Sequence, residues 1–213
     1  MNRLNICIDI DATLTEPYYW LDICNEYFNK NIKPYEITQY SIYKVMGVSR
    51  EEYFDFYNKY KLKIHTEEKV RKDGKAIVNR ISKYNNIFFV TAREKSLELF
   101  TEAYLTLNKV NFDGLYVLGS HYKVDKAREL NCDIFIEDNP NNAIELSEAS
   151  FKVLLMDTYY NREIKENEFI KRVYNWNQIY DFIEEMKFNQ KVIWFYIKVQ
   201  LFLYLRFKKV YIG

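Results

Sequence analysis

A chain of 213 residues with 48% hydrophobic content can bury one substantial core and a small second one. Its 31 lysines and arginines stand against 30 acidic residues, so no global field favours a nucleic-acid polymer or an acidic partner. Partners must therefore be argued from sites.

The chain opens with MNRLNICIDIDATL, which lacks the long apolar segment and small-residue cleavage site of a secretory signal. The expected address is cytoplasmic. Cys7, Cys24 and Cys132 show no close pairing, and two of them fall in or beside apolar runs, as buried reduced thiols do. Residues 4–10, LNICIDI, read as a buried strand whose end carries Asp9 and Asp11. The next segment, 16–72, holds three helix-like pieces at 18–30, 34–46 and 49–61, the last opened by Ser49 as an N-cap with Glu52 three residues on. That is too long for one crossover and reads as a small helical cap inserted after the first strand. Further strand-like runs follow at 86–91, 115–119, 133–138 and 151–157, separated by helical patterns at 94–109, 123–130 and 141–149. The alternation predicts an α/β fold, a parallel sheet flanked by helices. Residues 1–15 and 73–187 form the expected catalytic core, 16–72 the cap, and 188–213 an apolar C-terminal extension.

Open parallel sheets bind ligands beyond the carboxyl ends of their strands. Asp9 and Asp11 end the first strand, Thr91 the second, and Glu137 and Asp138 the fourth, with Lys123 in a loop shortly before. Each has a plainer reading by itself: a turn cap, a helix N-cap, a loop start, a solvated helix start. Four segments converging on one edge favour a site.

The order DIDATLT, FFVTAR, SHYKVD, DIFIEDN is similar, in sequence and spacing, to the four motifs of the haloacid dehalogenase superfamily of phosphotransferases. Within it, IDIDATLTEPYYW, VTAR, and MDTYYNR with VYNW resemble the bacterial branch of the type C cytosolic deoxyribonucleotidase-like 5'-nucleotidases, over about residues 4–187. The resemblance implies a Rossmann-like core, a helical cap, and magnesium-dependent hydrolysis of a small phosphate monoester, with pyrimidine deoxyribonucleotides as substrates. Another small phosphate monoester, or a catalytically impaired binding member of the fold, is the alternative.

The chemistry fits these residue types. Anionic monoesters repel incoming nucleophiles, so a positioned carboxylate that forms an aspartyl-phosphate helps, and Asp9 takes that role. Asp11, two residues on, can protonate the leaving alkoxide and later deprotonate water. Magnesium prefers a few oxygen ligands, and the resemblance implies the carboxylates of Asp9 and Asp138 with the backbone carbonyl of Asp11. Glu137 is expected to hold a metal-bound water. Phosphoryl oxygens need donors, which Thr91, backbone amides around Ala92, and Lys123 supply. Lys126 competes with Lys123 for this role and is less favoured by the family pattern.

Arg93 reads either as a contact to substrate phosphate or as an exposed arginine at a helix start. Asn139 and Asn142 orient the metal loop or simply shape the turn at Pro140. His65 and His121 lie too far in sequence from acidic or cysteine clusters to suggest zinc and are expected at the surface. Ala12 stands where the family usually has glycine; a positive φ there would cost about 1 kcal/mol. The segment from Tyr18 to Tyr60 is dense in aromatics, most of them expected to form the cap's own core, with Tyr18 and Trp20 the candidates for substrate contact.

Beyond residue 187 the run KVIWFYIKVQLFLYLRFKK is apolar and bounded by lysines. It is expected to pack on its own domain or on another subunit. As a strand it would alternate; as a helix it would gather Lys191, Lys198, Arg206 and Lys209 near one face, with Trp194, Phe195 and Leu201 opposite, offering a homo-oligomer or membrane-surface contact. Residues 192–207 would span about 24 Å as a helix, short of the roughly 30 Å hydrocarbon core.

Overall fold

The computed structural model describes residues 3–211, except for the side chains of Ile193 and residues 201–211. Its strands are β1 (Asn5–Ile8), β2 (Asn86–Thr91), β3 (Gly114–Val117), β4 (Ile134–Glu137), β5 (Lys152–Met156) and β6 (Ile170–Val173). The helices are α1 (Leu21–Phe28), α2 (Ile42–Met46), α3 (Arg50–Glu67), α4 (Lys72–Ile81), α5 (Glu98–Leu107), α6 (Val124–Glu129), α7 (Pro140–Glu148) and α8 (Trp176–Tyr211). All strand pairs are parallel, in the order β3-β2-β1-β4-β5-β6.

The strands are apolar on both sides because both faces are covered. On β1, Ile6 and Ile8 point into a cluster closed by Ile77 and Val78 of α4, Leu105 of α5, and Trp176, Ile179 and Ile183 of α8. Cys7, with the opposite pleat, joins Phe135, Val153 and Leu155 under Val124 and Ala127 of α6 and Leu146 of α7. Chain order reverses between β1 and β4, so their carboxyl ends flank the crevice where ligands enter such sheets.

The segment between β1 and α4 builds its own apolar centre from Leu21, Ile23, Cys24, Ile37, Met46, Phe56 and Ile64, with Tyr19, Trp20, Phe28 and Tyr53 packed around it. It leaves and rejoins the sheet through one narrow pair of chains. Thr15 and Val70 form an antiparallel bridge, Glu16 N–H donates to Lys69 O at 2.7 Å, and Arg71 donates to the carbonyls of Ala12 and Thr15.

Several expectations need correction. The piece at 34–46 is not one helix: Pro34–Glu36 is a single 3-10 turn, and α2 starts only after Ser41, because Pro34 and the β-branched pair Ile37 and Thr38 interrupt the helical run. Tyr18, at φ 63°, stands outside α1. Ser49 and Glu52 form the reciprocal capping box, and α3 then runs six residues past the expected end to Glu67. Strand β6 was missed, since IKRV is short and half charged, as suits an edge. Helix α4, which covers β1 and β2, was also not anticipated.

The apolar extension is no separate element. It continues α8, whose first turns are anchored in the core by Trp176, Ile179 and Ile183. Among the described side chains the expected packing on its own domain fails: Phe188, Trp194, Phe195, Tyr196 and Ile197 are each more than half exposed. Leu201, Arg206 and Lys209 lie outside the described side chains. Among the described residues, no helix is long and apolar enough to cross a membrane. All three cysteines are buried and unpaired.

Candidate active site

Asp9 follows β1 directly, its N–H continuing the sheet ladder to Ile136 O at 2.9 Å, and its side chain is buried. Residues 10–14 then turn tightly. Ala12 takes φ 58°, ψ −4°, a left-handed conformation that strains any Cβ, and the Thr15 hydroxyl accepts its N–H. The turn places Asp9 and Asp11 in two different charge clusters.

The first cluster lies between the ends of β1 and β4. Carboxylate oxygens of Asp9, Glu137 and Asp138 all fall within 4.8 Å of one another, and all three residues are buried. Lys123, at the start of α6 and only 1% exposed, donates from Nζ to Asp9 and, at 2.8 Å, to Glu137. Glu137 is held further by the amides of Asp138 and Asn139, each at 3.0 Å, and by the Asn142 side chain at 3.1 Å. Asn139 caps α7 through its own side chain, accepting from the amides of Asn141 and Asn142. Asp138 accepts from the Thr13 hydroxyl at 3.0 Å and from the Tyr160 hydroxyl.

Electrostatics here are unbalanced. Burial pushes the Asp9 carboxyl up to about 7 against the pull of Lys123, with Glu137 and Asp11 adding to the rise. Burial, then Glu137 and Asp9, likewise raises Asp138 well above the carboxylate range. Three buried carboxylates share one ammonium. A hard divalent cation with oxygen ligands is the partner such a set lacks, so these residues fit magnesium.

The second cluster surrounds Asp11. Arg93 Nε donates to Asp11 Oδ2 at 3.0 Å and Nη2 to Oδ1 at 2.8 Å, while Nη2 also meets Glu68 at 2.5 Å. The Tyr19 hydroxyl donates to Asp11 Oδ1 at 2.7 Å. Burial alone would raise Asp11, but Arg93, with His65 and Tyr19, holds it below the ordinary range.

Two expectations change here. Arg93 is no exposed arginine at a helix start; it is 4% exposed and spent on protein carboxylates. His65 is not at the surface: it is buried, its Nδ1 lies 3.6 Å from Asp11 and 3.8 Å from Glu68, and its Nε2 meets the Tyr57 hydroxyl. His121 is exposed. Thr91 ends β2, fully buried, its hydroxyl accepting from Arg93 N–H, with Ala92 between them. Lys126 turns outward to Glu129 and the Tyr116 ring. The Tyr18 hydroxyl accepts from Tyr159 N–H, and Trp20 packs into the inserted segment's apolar centre. Sequence reasoning missed Glu68, Tyr19, Tyr160 and Asn161, whose Nδ2 donates to the Asp138 carbonyl at 2.8 Å. Tyr19 carried a signal in its place between the candidates Tyr18 and Trp20, and Tyr160 and Asn161 in the MDTYYNR motif.

A parallel 3-2-1-4-5-6 sheet with a helical insertion after its first strand defines a haloacid dehalogenase-like fold. Among solved structures, a haloacid dehalogenase-like family hydrolase from Streptococcus pneumoniae superposes at a TM-score of 0.64 with 14% identity, over 85% of this chain and 98% of its own. A predicted phosphatase from Clostridium acetobutylicum gives 0.61 with 16% identity, over 87% and 100%. At these identities the likeness concerns the fold.

The sequence itself is more specific. The profile of the family described as 5' nucleotidase, deoxy (pyrimidine), cytosolic type C protein matches residues 2–190, and the chain belongs to this family. A nucleotidase of Clostridium acetobutylicum is 53% identical over 186 residues, 87% of this chain and 96% of that protein. The chain is accordingly a phosphoric monoester hydrolase of the nucleotidase type.

Proposed function

We propose that this nucleotidase hydrolyses deoxyribonucleoside monophosphates in two steps through an aspartyl-phosphate on Asp9. The observation that carries the reading is the Asp9 carboxylate at the end of β1, beside Asp138 and touched by Lys123. An Asp9 oxygen bonds to phosphorus as the ester P–O bond breaks, and Asp11 gives its proton to the leaving oxygen. The arriving phosphate, itself anionic, favours that protonated form of Asp11. Water then attacks the acyl phosphate, Asp11 takes its proton, and inorganic phosphate leaves. Asp9, Asp138 and the Asp11 backbone carbonyl would hold magnesium, which supplies positive charge beside the phosphoryl oxygens when bound. Lys123, Thr91 and the amides around Ala92 supply the remaining donors, and Glu137 fixes Lys123.

In this reading the inserted segment at 16–72 is the cap that selects substrate, and residues 1–15 and 73–187 are the catalytic core. Its aromatic wall, with Tyr18 and Tyr40 near Tyr160, suits a planar base. The family description, cytosolic and pyrimidine-deoxy, supports this substrate class and a cytoplasmic site of action. The test is turnover of purified protein across ribo- and deoxyribonucleoside 5'- and 3'-monophosphates and sugar phosphates, with magnesium, together with borohydride trapping of the acyl phosphate. Preference for a sugar phosphate would overturn the substrate; no trapped adduct at Asp9 would overturn the intermediate.

A further inference from the structure

We infer that Glu68 and Arg93 are positioning residues for Asp11: Glu68, at the end of the inserted segment, fixes Arg93, and Arg93 holds the acid/base carboxylate in a two-point fork. The inference rests on the reading of Asp11 as acid and base.

Glu68 follows α3 and is buried, with both carboxylate oxygens on Arg93 Nη2, at 2.5 and 2.6 Å. Its backbone carbonyl is tied down by the Tyr104 hydroxyl at 3.2 Å. Arg93 in turn presents Nε and Nη2 to the two Asp11 oxygens, and Nη1 reaches the Thr101 hydroxyl at 3.4 Å. Those three groups occupy the polar edge of the guanidinium, so Arg93 is poorly placed to bind a substrate phosphate directly. A fork of this kind fixes both the plane and the direction of a carboxylate, which a point charge does not.

The support comes from both edges of the insertion. Tyr19, near its beginning, donates to Asp11, and Glu68, at its end, grips Arg93. The buried Nδ1 of His65, which has no hydrogen-bond partner, faces the same two carboxylates. Asp11 itself keeps 35% of its side chain exposed, open on the side these groups leave free. The seating of the inserted segment therefore sets the direction of the group that must reach the leaving oxygen.

A positioning role differs from a structural one in its dependence on the leaving group. An alkoxide needs the proton of Asp11; p-nitrophenolate leaves without one at neutral pH. The value of kcat/KM reports only steps through departure of the leaving group, so it isolates this half of the reaction. Glu68→Gln and Arg93→Lys are compared with the parent on p-nitrophenyl phosphate and on the nucleoside monophosphate the parent hydrolyses fastest. Asp11→Asn and the double variant with Glu68→Gln serve as references. We expect each single positioning variant to lose about tenfold or more in kcat/KM on the nucleotide and less than about twofold on p-nitrophenyl phosphate, part of the roughly 10²–10⁴ that general acid catalysis supplies. Adding Glu68→Gln to Asp11→Asn should cost nothing further, because the first acts through the second.

Equal losses on both substrates, or a full additional loss in the double variant, would overturn the inference. If Asp11→Asn itself loses equally on both, the acid role falls and the inference with it; discrimination by Asp11→Asn alone removes only the roles of Glu68 and Arg93. Circular dichroism and thermal unfolding accompany each variant. Should Glu68→Gln not fold, Arg93→Lys decides the question by the same criterion.

Discussion

Two charge clusters stand side by side at the carboxyl end of the sheet, one around the buried Asp9 and one around the partly exposed Asp11, and they are balanced differently. Around Asp11, two carboxylates share an arginine that forks onto one and grips the other, with a histidine and a tyrosine hydroxyl in attendance. Around Asp9, three carboxylates share one lysine. The first arrangement is nearly self-compensating and has the character of scaffolding for one group. The second is short of positive charge, which a divalent cation held by its carboxylates would supply. The two balances thus meet at aspartates only two residues apart, Asp9 directly after β1 and Asp11 in the strained turn that also holds Ala12.

The largest effect that would break this contrast is on turnover. Asp9→Asn keeps the shape but loses the nucleophile, and steady-state assays should find at least about 10³-fold lower kcat with the fold intact. Turnover near the parent's in pure, folded variant would remove Asp9 from the chemistry. Metal dependence sharpens the same side. Chelation should abolish activity, magnesium should restore it, and Asp138→Ala should raise the magnesium needed for half-maximal rate far more than Glu137→Gln. Equal shifts would reverse the ligand assignment.

Stability of the metal-free protein discriminates the clusters directly. The Asp9 carboxyl is raised from its ordinary 3.8 to about 7, so its contribution to stability is fully present below pH about 4 and is lost as pH rises through 7. In chelator, urea unfolding should therefore show Asp9→Asn gaining on the parent as pH goes from 4 to 8, by a few kcal/mol at most. Arg93→Ala should do the reverse at pH 7, destabilising by roughly 3–5 kcal/mol because Glu68 is left buried and unpaired. A destabilised Asp9→Asn at pH 8 would mean that the first cluster is scaffolding too.

Smaller effects test the boundary and the surroundings. Ala12→Gly relieves about 1–2 kcal/mol of left-handed strain and loosens the unfolded chain by about 0.4–1 kcal/mol. The thermal midpoint should rise by no more than a few degrees, and a fall would show that the Ala12 Cβ contributes packing. Truncation after Lys187 should leave kcat/KM within about twofold, since both clusters lie before that point, while changing mass in solution or binding to liposomes through the exposed face of Trp194–Ile197. A larger loss of activity in folded protein would tie the last turns of α8 to the site.

The sequence by itself determined the sheet and where its polar ends would lie. Runs such as NIFFVT and KVLLM are apolar on both pleats, which only a parallel strand covered on two sides tolerates, and Asp9, Thr91, Glu137 and Asp138 stand where those runs stop. Local pattern was enough there, because a strand's end and its side-chain direction are fixed by a few neighbouring residues. Local pattern failed for β6, where Lys171 and Arg172 hide an edge strand, and for the residues at 34–46, where one helix was expected in place of two short pieces. The tertiary structure alone decided the surroundings of Asp11. Glu67 and Glu68 are chemically alike and adjacent, yet only Glu68 turns inward, because the antiparallel bridge at Thr15 and Val70 brings the end of the insertion back against the sheet. His65 and Arg93 became buried partners by the same long-range closure, over sequence separations of 54 and 82 residues from Asp11 that no periodicity records. Exposure of Phe188 and of Trp194 to Ile197 on α8 is equally a matter of the whole: the helix outruns the sheet that buries its first turns.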